Sequence, residues 1–364
     1  MKKIRLDLAE KSYDILIGSG AAGKLPELLR SYNHTGPVVV VTDNKVKSKT
    51  SALINPVLKR VKNQLVTISV PATERSKSIS IFRDSVQKIS KKTRTHRPLI
   101  VALGGGVVGD LAGFIAATYR RGVPLIQVPT TLLAQVDSSV GGKVGIDLPE
   151  AKNLIGAFYQ PRAVLMDPEL LNTLPKKQIR NGMAEVIKYG VISSPSLFGY
   201  LEKNIERILM LEKKPLEKII SDCVSIKARV VEKDEYDLKD VRIALNFGHT
   251  LGHAIEAASE YSKRYNHGEC VAIGMLLACE IAVRLDMLKY EQLGRLVKLL
   301  RKTGLPTRVR KIPLKEILKS YKYDKKFTKG GNRMVLPRKI GKVEVVEDIP
   351  DLLIKTVVKE YVTP

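Results

Sequence analysis

Pro98-Leu-Ile-Val-Ala-Leu-Gly-Gly-Gly-Val-Val-Gly-Asp110 is the stretch on which the fold turns. Pro98–Leu103 is a short, wholly apolar run, the pattern of a strand buried on both faces of a parallel sheet. Three glycines follow it, and they open a helix over Leu111–Thr118. Glycine lets a backbone approach a phosphate closely, and a helix N-terminus presents unsatisfied N–H groups to it. The segment satisfies G-x-G-x-x-G, but it sits late in its domain. No acidic residue lies about 20 residues on, where a ribose partner belongs. A tight strand-to-helix turn is the plainer reading. Three consecutive glycines exceed what a turn needs, so pyrophosphate binding is the expectation.

Outward from this loop the pattern repeats. Residues 3–7 and 12–17 alternate as short strands, with Gly18 and Gly20 as a turn. Pro37–Thr42 is an apolar run ending in Asp43-Asn44, and Leu65–Val70 ends in Pro71-Ala-Thr-Glu74-Arg-Ser-Lys77. A helix is expected over about 79–91, with Ile81, Val86 and Ile89 toward the core. Val123–Val128 is a strand leading to Thr130 and Thr131, then to Gln135-Val-Asp137-Ser-Ser-Val-Gly-Gly-Lys143, with Lys152 and Asn153 beyond. Glycines beside a lysine suit an anionic ligand, although a single lysine in so basic a chain is ordinarily solvated surface. Ala163–Met166 is the last strand, and Leu170-Leu-Asn-Thr173-Leu-Pro175 leads out. Alternating strands and helices predict a Rossmann-like α/β domain over 1–174.

The second domain, 175–364, reads as mostly α-helical. Helices are expected over about 195–210, 214–233, 246–261, 267–285 and 290–303, with a hairpin at Met334–Leu336 and Val343–Val346. Glu185 and Lys188 share a face of the helix near Arg180–Lys188, either as an ion pair or as a site. Asn246-Phe-Gly-His-Thr-Leu-Gly-His253-Ala-Ile-Glu and, after a spacer, Asn266-His-Gly-Glu269 hold three of the five histidines. His249 and His253 are four apart, on one helix face. Imidazoles with a carboxylate make an open divalent-metal site; packing or capping is the plain alternative. The local pattern does not say which histidines bind metal. Lys227, Arg242 and Asn246 lie around this segment in the chain.

Composition narrows the function. The net charge is +25, but the basic residues are scattered and no nucleic-acid-binding signature accompanies them. Steering of small phosphorylated or carboxylated substrates is the preferred explanation. No apolar run approaches a membrane span, and Met-Lys-Lys-Ile-Arg-Leu-Asp lacks a signal peptide's apolar region. Cys223, Cys270 and Cys279 have no CxxC spacing and read as thiols of a reducing cytoplasm.

Taken together, Gly104–Asp110, Pro129–Lys143, Ala151–Phe158, Arg180–Gly190, Asn246–Glu256 and His267–Glu269 resemble the 3-dehydroquinate synthase family, within the sugar phosphate cyclases. The resemblance covers nearly the whole chain. It implies a dehydroquinate synthase-like fold: an NAD-binding α/β domain, a helical zinc- or cobalt-binding domain, an active site in the cleft and a cytoplasmic homodimer. It implies a reaction of the shikimate pathway: 3-deoxy-D-arabino-heptulosonate 7-phosphate goes to 3-dehydroquinate and phosphate. That sequence runs through transient oxidation by NAD, β-elimination, re-reduction, ring opening and aldol closure.

Carried over by position, the resemblance makes Glu185, His249 and His267 the metal ligands and His253 a phosphate contact. Asp43 or Asn44, Glu74 and Lys77 are adenosine-side contacts to NAD. Gly106, Val107, Val108, Gly109 and Asp110 form the pyrophosphate loop. Thr130, Thr131, Asp137, Lys143, Lys152, Leu170, Leu171, Asn172 and Thr173 are further NAD-side positions. Arg121, Asn153, Lys188, Lys227, Arg242 and Asn246, with Lys143, are substrate positions, completed by Lys325 or Lys326. Two segments depart from the family pattern. The loop Asp234–Arg242 is one residue longer, with Asp237 as its acidic position, and Ala72-Thr73-Glu74 replaces Asp-Gly-Glu. The alternatives are a cyclase for sedoheptulose 7-phosphate or glucose 6-phosphate, a metal-dependent polyol or glycerol-1-phosphate dehydrogenase, and, from charge alone, a nucleic-acid-binding protein.

Overall fold

The structure is a computed structural model describing residues 1–94, 96–148, 152–259, 264–326 and 332–363, with only the backbone of 323–326. The chain forms two compact units: Met1–Pro175 with Leu216–Tyr236, and Lys176–Pro215 with Asp237–Pro364. Beyond the division expected near 174, the chain thus returns to the first unit for one helical stretch. No sequence signal announces that return, because its apolar spacing reads as one more helix.

The first unit is built on strands β1 (Lys2–Leu6), β2 (Tyr13–Ile17), β3 (Val38–Asp43), β4 (Leu65–Val70), β5 (Leu99–Gly104), β6 (Leu125–Pro129), β7 (Lys143–Ile146), β8 (Ile155–Phe158) and β9 (Ala163–Met166). Seven of them form one sheet in the order β1-β2-β9-β6-β5-β3-β4, parallel except for β1. Every residue of β3 and β5 is buried, as central parallel strands covered on both faces require. Their side chains alternate between two cores. Val39, Val41, Ile100 and Ala102 meet Leu111, Ala112 and Ile115 of the helix Gly106–Thr118 on one face. Val38, Val40, Leu99 and Val101 meet Leu25, Leu29, Ile54 and Val57 on the other. The edge strand β4 alternates exposed and buried residues instead.

This order contains a switch point. From β3 the chain crosses to β4 on one side; from β5 it proceeds to β6 and β9 on the other. Crevices at such points, outside the carboxyl ends of the strands, are where α/β sheets bind ligands. β7 and β8 make a separate antiparallel pair, entered through Gly141 (φ 99°) and Gly142 (φ 73°). That turn, rather than an anion cradle alone, accounts for the two glycines. The helix Gly106–Thr118 packs against β7 across Gly113, where a Cβ would lie 2.3 Å from a Val144 methyl.

The second unit is organised on the helix His267–Arg284, with Gly268, Cys270–Cys279, Ile281 and Ala282 buried. Helices Lys176–Ser193, His249–Ala258, Tyr290–Thr303 and Asp351–Tyr361 and the strand Met334–Lys339 pack around it. Met334–Lys339 pairs antiparallel with Lys342–Val346, the expected hairpin. The helix expected from 246 starts at His249, because Val241–Asn246 is a 3₁₀ turn and Gly248 (φ 78°) breaks the spiral. Helices Leu314–Lys326 and Asp351–Tyr361 were not anticipated.

Candidate functional site

In the second unit, three elements converge on one carboxylate. Glu185 and Lys188 lie one turn apart on the buried face of Lys176–Ser193 and form an ion pair through Glu185 Oε2. His249 begins its helix directly after Gly248, and His267 begins the next. The start at His267 is set by a capping box: Glu269 N donates to Asn266 Oδ1 at 2.9 Å, and Asn266 N to Glu269 Oε2 at 2.8 Å. Gly268 N then donates to Asn181 Oδ1 at 2.6 Å, tying that turn to the Glu185 helix. Glycines let the two histidine helices cross closely: a Cβ on Gly274 would lie 1.9 Å from the Gly248 carbonyl oxygen.

Both histidines bring Nε2 to 3.5 Å from Glu185 Oε1. The ligand atoms of Glu185, His249 and His267 all lie within 4.8 Å of one another. Glu185 is fully buried, and neither of its oxygens accepts a hydrogen bond among the described residues. The Lys188 ammonium answers its Oε2, and Oε1 is left facing the two imidazoles. Two imidazoles and one carboxylate are the donors a zinc-type ion takes while keeping an open position, so these residues fit a divalent metal.

Charge follows the same geometry. Burial alone would raise the Glu185 carboxyl; the Lys188 ammonium, with His249 and His267, outweighs it and holds the group well below the ordinary range. Burial, with the Lys188 ammonium, pushes the His249 ring down to about 3, leaving it neutral and able to ligate. Burial would also lower His267, but its contacts with Glu185 and Glu256 push it up to about 10. His253 is exposed, with its ring centroid 5.2 Å from that of His249 and 6.0 Å from that of His267. Arg242 is buried and Asn246 exposed in the adjoining 3₁₀ turn, and Asp237 has φ 58°. The side chains of Lys325 and Lys326 lie outside the described residues.

Glu256 belongs to this cluster, although the sequence motif by itself gives it no role. Its Oε2 lies 3.0 Å from His267 Nδ1. The available signal was spacing, since 249, 253 and 256 follow i, i+4, i+7 on one helix face.

In the first unit, the parallel strands bring the other expected residues to one sheet edge. Asp43 and Asn44 follow β3, Glu74 and Lys77 follow β4, Gly105 and Gly106 follow β5, Thr130 and Thr131 follow β6, and Leu170–Thr173 follow β9. Gly106 opens the helix Gly106–Thr118, so its first turn presents backbone N–H groups beside the switch point. Both flanking glycines are tight: a Cβ on Gly105 would meet Thr131 Cγ2 at 3.0 Å, and one on Gly106 would meet Ser138 Oγ at 3.1 Å. Thr42 Oγ1 and Thr130 Oγ1 are buried there without a hydrogen-bond partner among the described residues. A phosphate-bearing nucleotide fits this edge.

Other positions are already engaged. Asp43 Oδ1 caps the next helix, accepting from Lys45 N and Val46 N at 2.9 Å each. Lys77 is buried and gathers Asp110 Oδ2 at 2.8 Å, Asp147 at 3.7 Å, Glu74 at 3.9 Å and Asn153 Oδ1. Val108, Leu170 and Leu171 are buried, so any contact they offer a ligand is through backbone. Lys143 Nζ lies 5.9 Å over the Phe158 ring, and Arg121 is exposed with φ 60°. Lys152, Asn172 and Thr173 lie in turns of the same unit. Lys227 differs from expectation: near the histidines in sequence, it lies in the first unit and donates to the Asp137 carbonyl at 2.8 Å. The returning helix puts it there.

Comparison with known proteins places the chain in a family. Sequence models described as 3-dehydroquinate synthase N-terminal and C-terminal match residues 67–181 and 182–327. The chain is 43% identical to the 3-dehydroquinate synthase of Thermoanaerobacter pseudethanolicus over 345 residues, 95% of this chain and 96% of that one. It is similar to a solved 2-deoxy-scyllo-inosose synthase complexed with carbaglucose-6-phosphate, NAD+ and Co2+, with TM-score 0.88, 26% identity and coverage of 99% and 100% of the two chains. It is similar to the 2-epi-5-epi-valiolone synthase of Streptomyces hygroscopicus subsp. jinggangensis with NAD+ and Zn2+ bound, with TM-score 0.88, 25% identity and 98% coverage of each chain. With that identity over nearly all of its length, the chain belongs to the 3-dehydroquinate synthase family.

Proposed function

We propose that this chain converts 3-deoxy-D-arabino-heptulosonate 7-phosphate to 3-dehydroquinate and phosphate, using NAD and a divalent cation, zinc or cobalt. The observation that carries the reading is Glu185: a fully buried carboxylate paired with Lys188 through Oε2, whose Oε1 has two imidazole nitrogens at 3.5 Å. Glu185, His249 and His267 would hold the cation. Asn44, Glu74, Lys77, the Gly106–Asp110 turn, Thr130, Thr131, Asp137, Lys152 and the 170–173 turn would hold NAD.

When bound, the cation supplies Lewis acidity that lowers the pKa of a coordinated substrate hydroxyl. NAD, when bound, would supply a reversible hydride acceptor. The side chains have separate work. Lys188 keeps Glu185 ionised. Arg121, Lys143, Asn153, Lys227, Arg242, Asn246 and His253 are assigned to binding and orienting the sugar acid. An arginine fork such as that of Arg242 suits a carboxylate, and imidazole and ammonium groups suit a phosphate. The departing phosphate can itself take the proton, so no separate protein base is required.

The homodimer and the cytoplasmic location are part of the same reading. No helix among the described residues is long and apolar enough to cross a membrane; sedimentation equilibrium tests the dimer. The activity is tested by anaerobic incubation with the heptulosonate, NAD and zinc. Phosphate release over many turnovers without build-up of NADH is the expected outcome. Stoichiometric NADH would indicate a polyol-type dehydrogenase, and release from sedoheptulose 7-phosphate or glucose 6-phosphate alone would indicate another cyclase.

A further inference from the structure

We propose that Glu256 is a positioning residue for the cation site. Its carboxylate accepts the Nδ1 proton of His267 in a hydrogen bond and thereby makes His267 the more strongly donating of the two imidazole ligands. The inference rests on the metal reading above.

Glu256 is only 8% exposed, on the buried side of a short helix beside Ala254 and Ile255. A carboxylate so placed needs a partner. His267 Nδ1, 3.0 Å from Glu256 Oε2, is such a partner. With Nδ1 committed as donor to Glu256, a cation displacing the other ring proton would be met by the lone pair of Nε2, the nitrogen nearest Glu185. His249 is oriented differently: its Nδ1 lies 3.2 Å from the Phe247 carbonyl oxygen. A peptide carbonyl fixes the tautomer but carries no charge. A carboxylate also draws the proton toward itself and raises the basicity of the opposite nitrogen. The two histidine ligands are therefore unequal.

The backbone at His267 does not depend on Glu256. The Asn266–Glu269 capping box and the Gly268-to-Asn181 hydrogen bond hold that turn. Removing the Glu256 charge should free or weaken the ring while leaving the helix in place.

The test compares zinc affinity, measured against a chromophoric chelator, in the parent, Glu256→Gln, Glu256→Asp and Glu185→Ala proteins. The visible spectra of their cobalt forms and the melting of their metal-free forms are recorded alongside. Glu256→Gln should bind one equivalent of zinc about 10–100-fold more weakly, with a shifted cobalt spectrum and unchanged metal-free melting. Glu256→Asp, which keeps the charge, should recover part of that affinity. Parent-like affinity and spectrum in Glu256→Gln would overturn the inference. So would metal-free melting well below the parent, which would make the role structural. His253, Glu256 and His267 also lie within 4.8 Å of one another. A second tight equivalent of zinc, lost in Glu256→Gln, would make Glu256 a ligand and overturn the positioning role. Zinc bound normally by Glu185→Ala would instead reject the metal reading itself. Zinc lost there but held normally by Glu256→Gln would reject only the positioning role.

Discussion

Lys227 Nζ donates to the main-chain carbonyl of Asp137 at 2.8 Å and pairs with its carboxylate. Asp137 lies in a single π-helical turn, Ala134–Ser138, a local geometry found disproportionately at functional sites. The lysine reaches it from a helix 90 residues later in the chain.

Removing that ammonium should loosen both partners. The pair is partly solvated, so Lys227→Met should cost about 2 kcal/mol, below the range for fully buried pairs, and should weaken NAD binding. Chemical denaturation and NAD titration measure the two effects. Parent-like values in both would show that the pair is incidental.

Lys77 ties the loop after β4 to Asp110 on the glycine-loop helix. Burial alone would lower its pKa, but Asp110, Glu74 and Asp147 raise it above the ordinary 10.5. The sign follows: its stabilisation is fully present below pH 10.5 and is lost as pH rises through the higher folded value. Lys77→Met should be less stable at neutral pH, and its further loss in alkali should be shallower than the parent's. Parallel denaturation curves across the alkaline range would contradict this.

Gly274 allows the two histidine-bearing helices to meet. A Cβ there would stand 1.9 Å from the Gly248 oxygen and 2.8 Å from Gly252 N. Both obstacles are backbone, so Gly274→Ala should cost at least about 2 kcal/mol and lower zinc occupancy by displacing His249. Melting temperature and metal analysis decide it; full occupancy at parent stability is the contrary result.

Glu185→Ala and His267→Ala should each lose stoichiometric metal in purified protein. Chelation should abolish phosphate release in the parent, with zinc or cobalt restoring it. Retained activity after exhaustive chelation would count against a metal enzyme.

All three cysteines are buried, and burial raises the Cys279 thiol. Native protein should leave a thiol reagent such as dithionitrobenzoate unreacted, and unfolding in guanidinium should release three equivalents. Rapid reaction of the folded protein would refute the buried placement.

Much of the α/β unit was legible locally. Val38–Asp43 and Leu99–Gly104 are continuous apolar runs because both faces of a central strand are covered. The Gly104–Gly106 turn was equally plain, since three glycines in a row have few uses. The second unit was less so. Asn266–Glu269 stands out for its histidine, yet the same four residues make the capping box that places that histidine at the start of a helix.

What the chain's order of residues determined by itself was the alternation of strand and helix, the phosphate-suited turn and the supply of imidazoles and carboxylates. Each depends on neighbours a few positions apart. Only the tertiary structure decided that Glu185 meets two histidines more than 60 positions away, that Glu256 takes the far nitrogen of one of them, and that Lys227 joins the first unit. Those pairings depend on how helices pack and where glycines permit close crossing. Such contacts between distant segments leave no periodicity in the sequence.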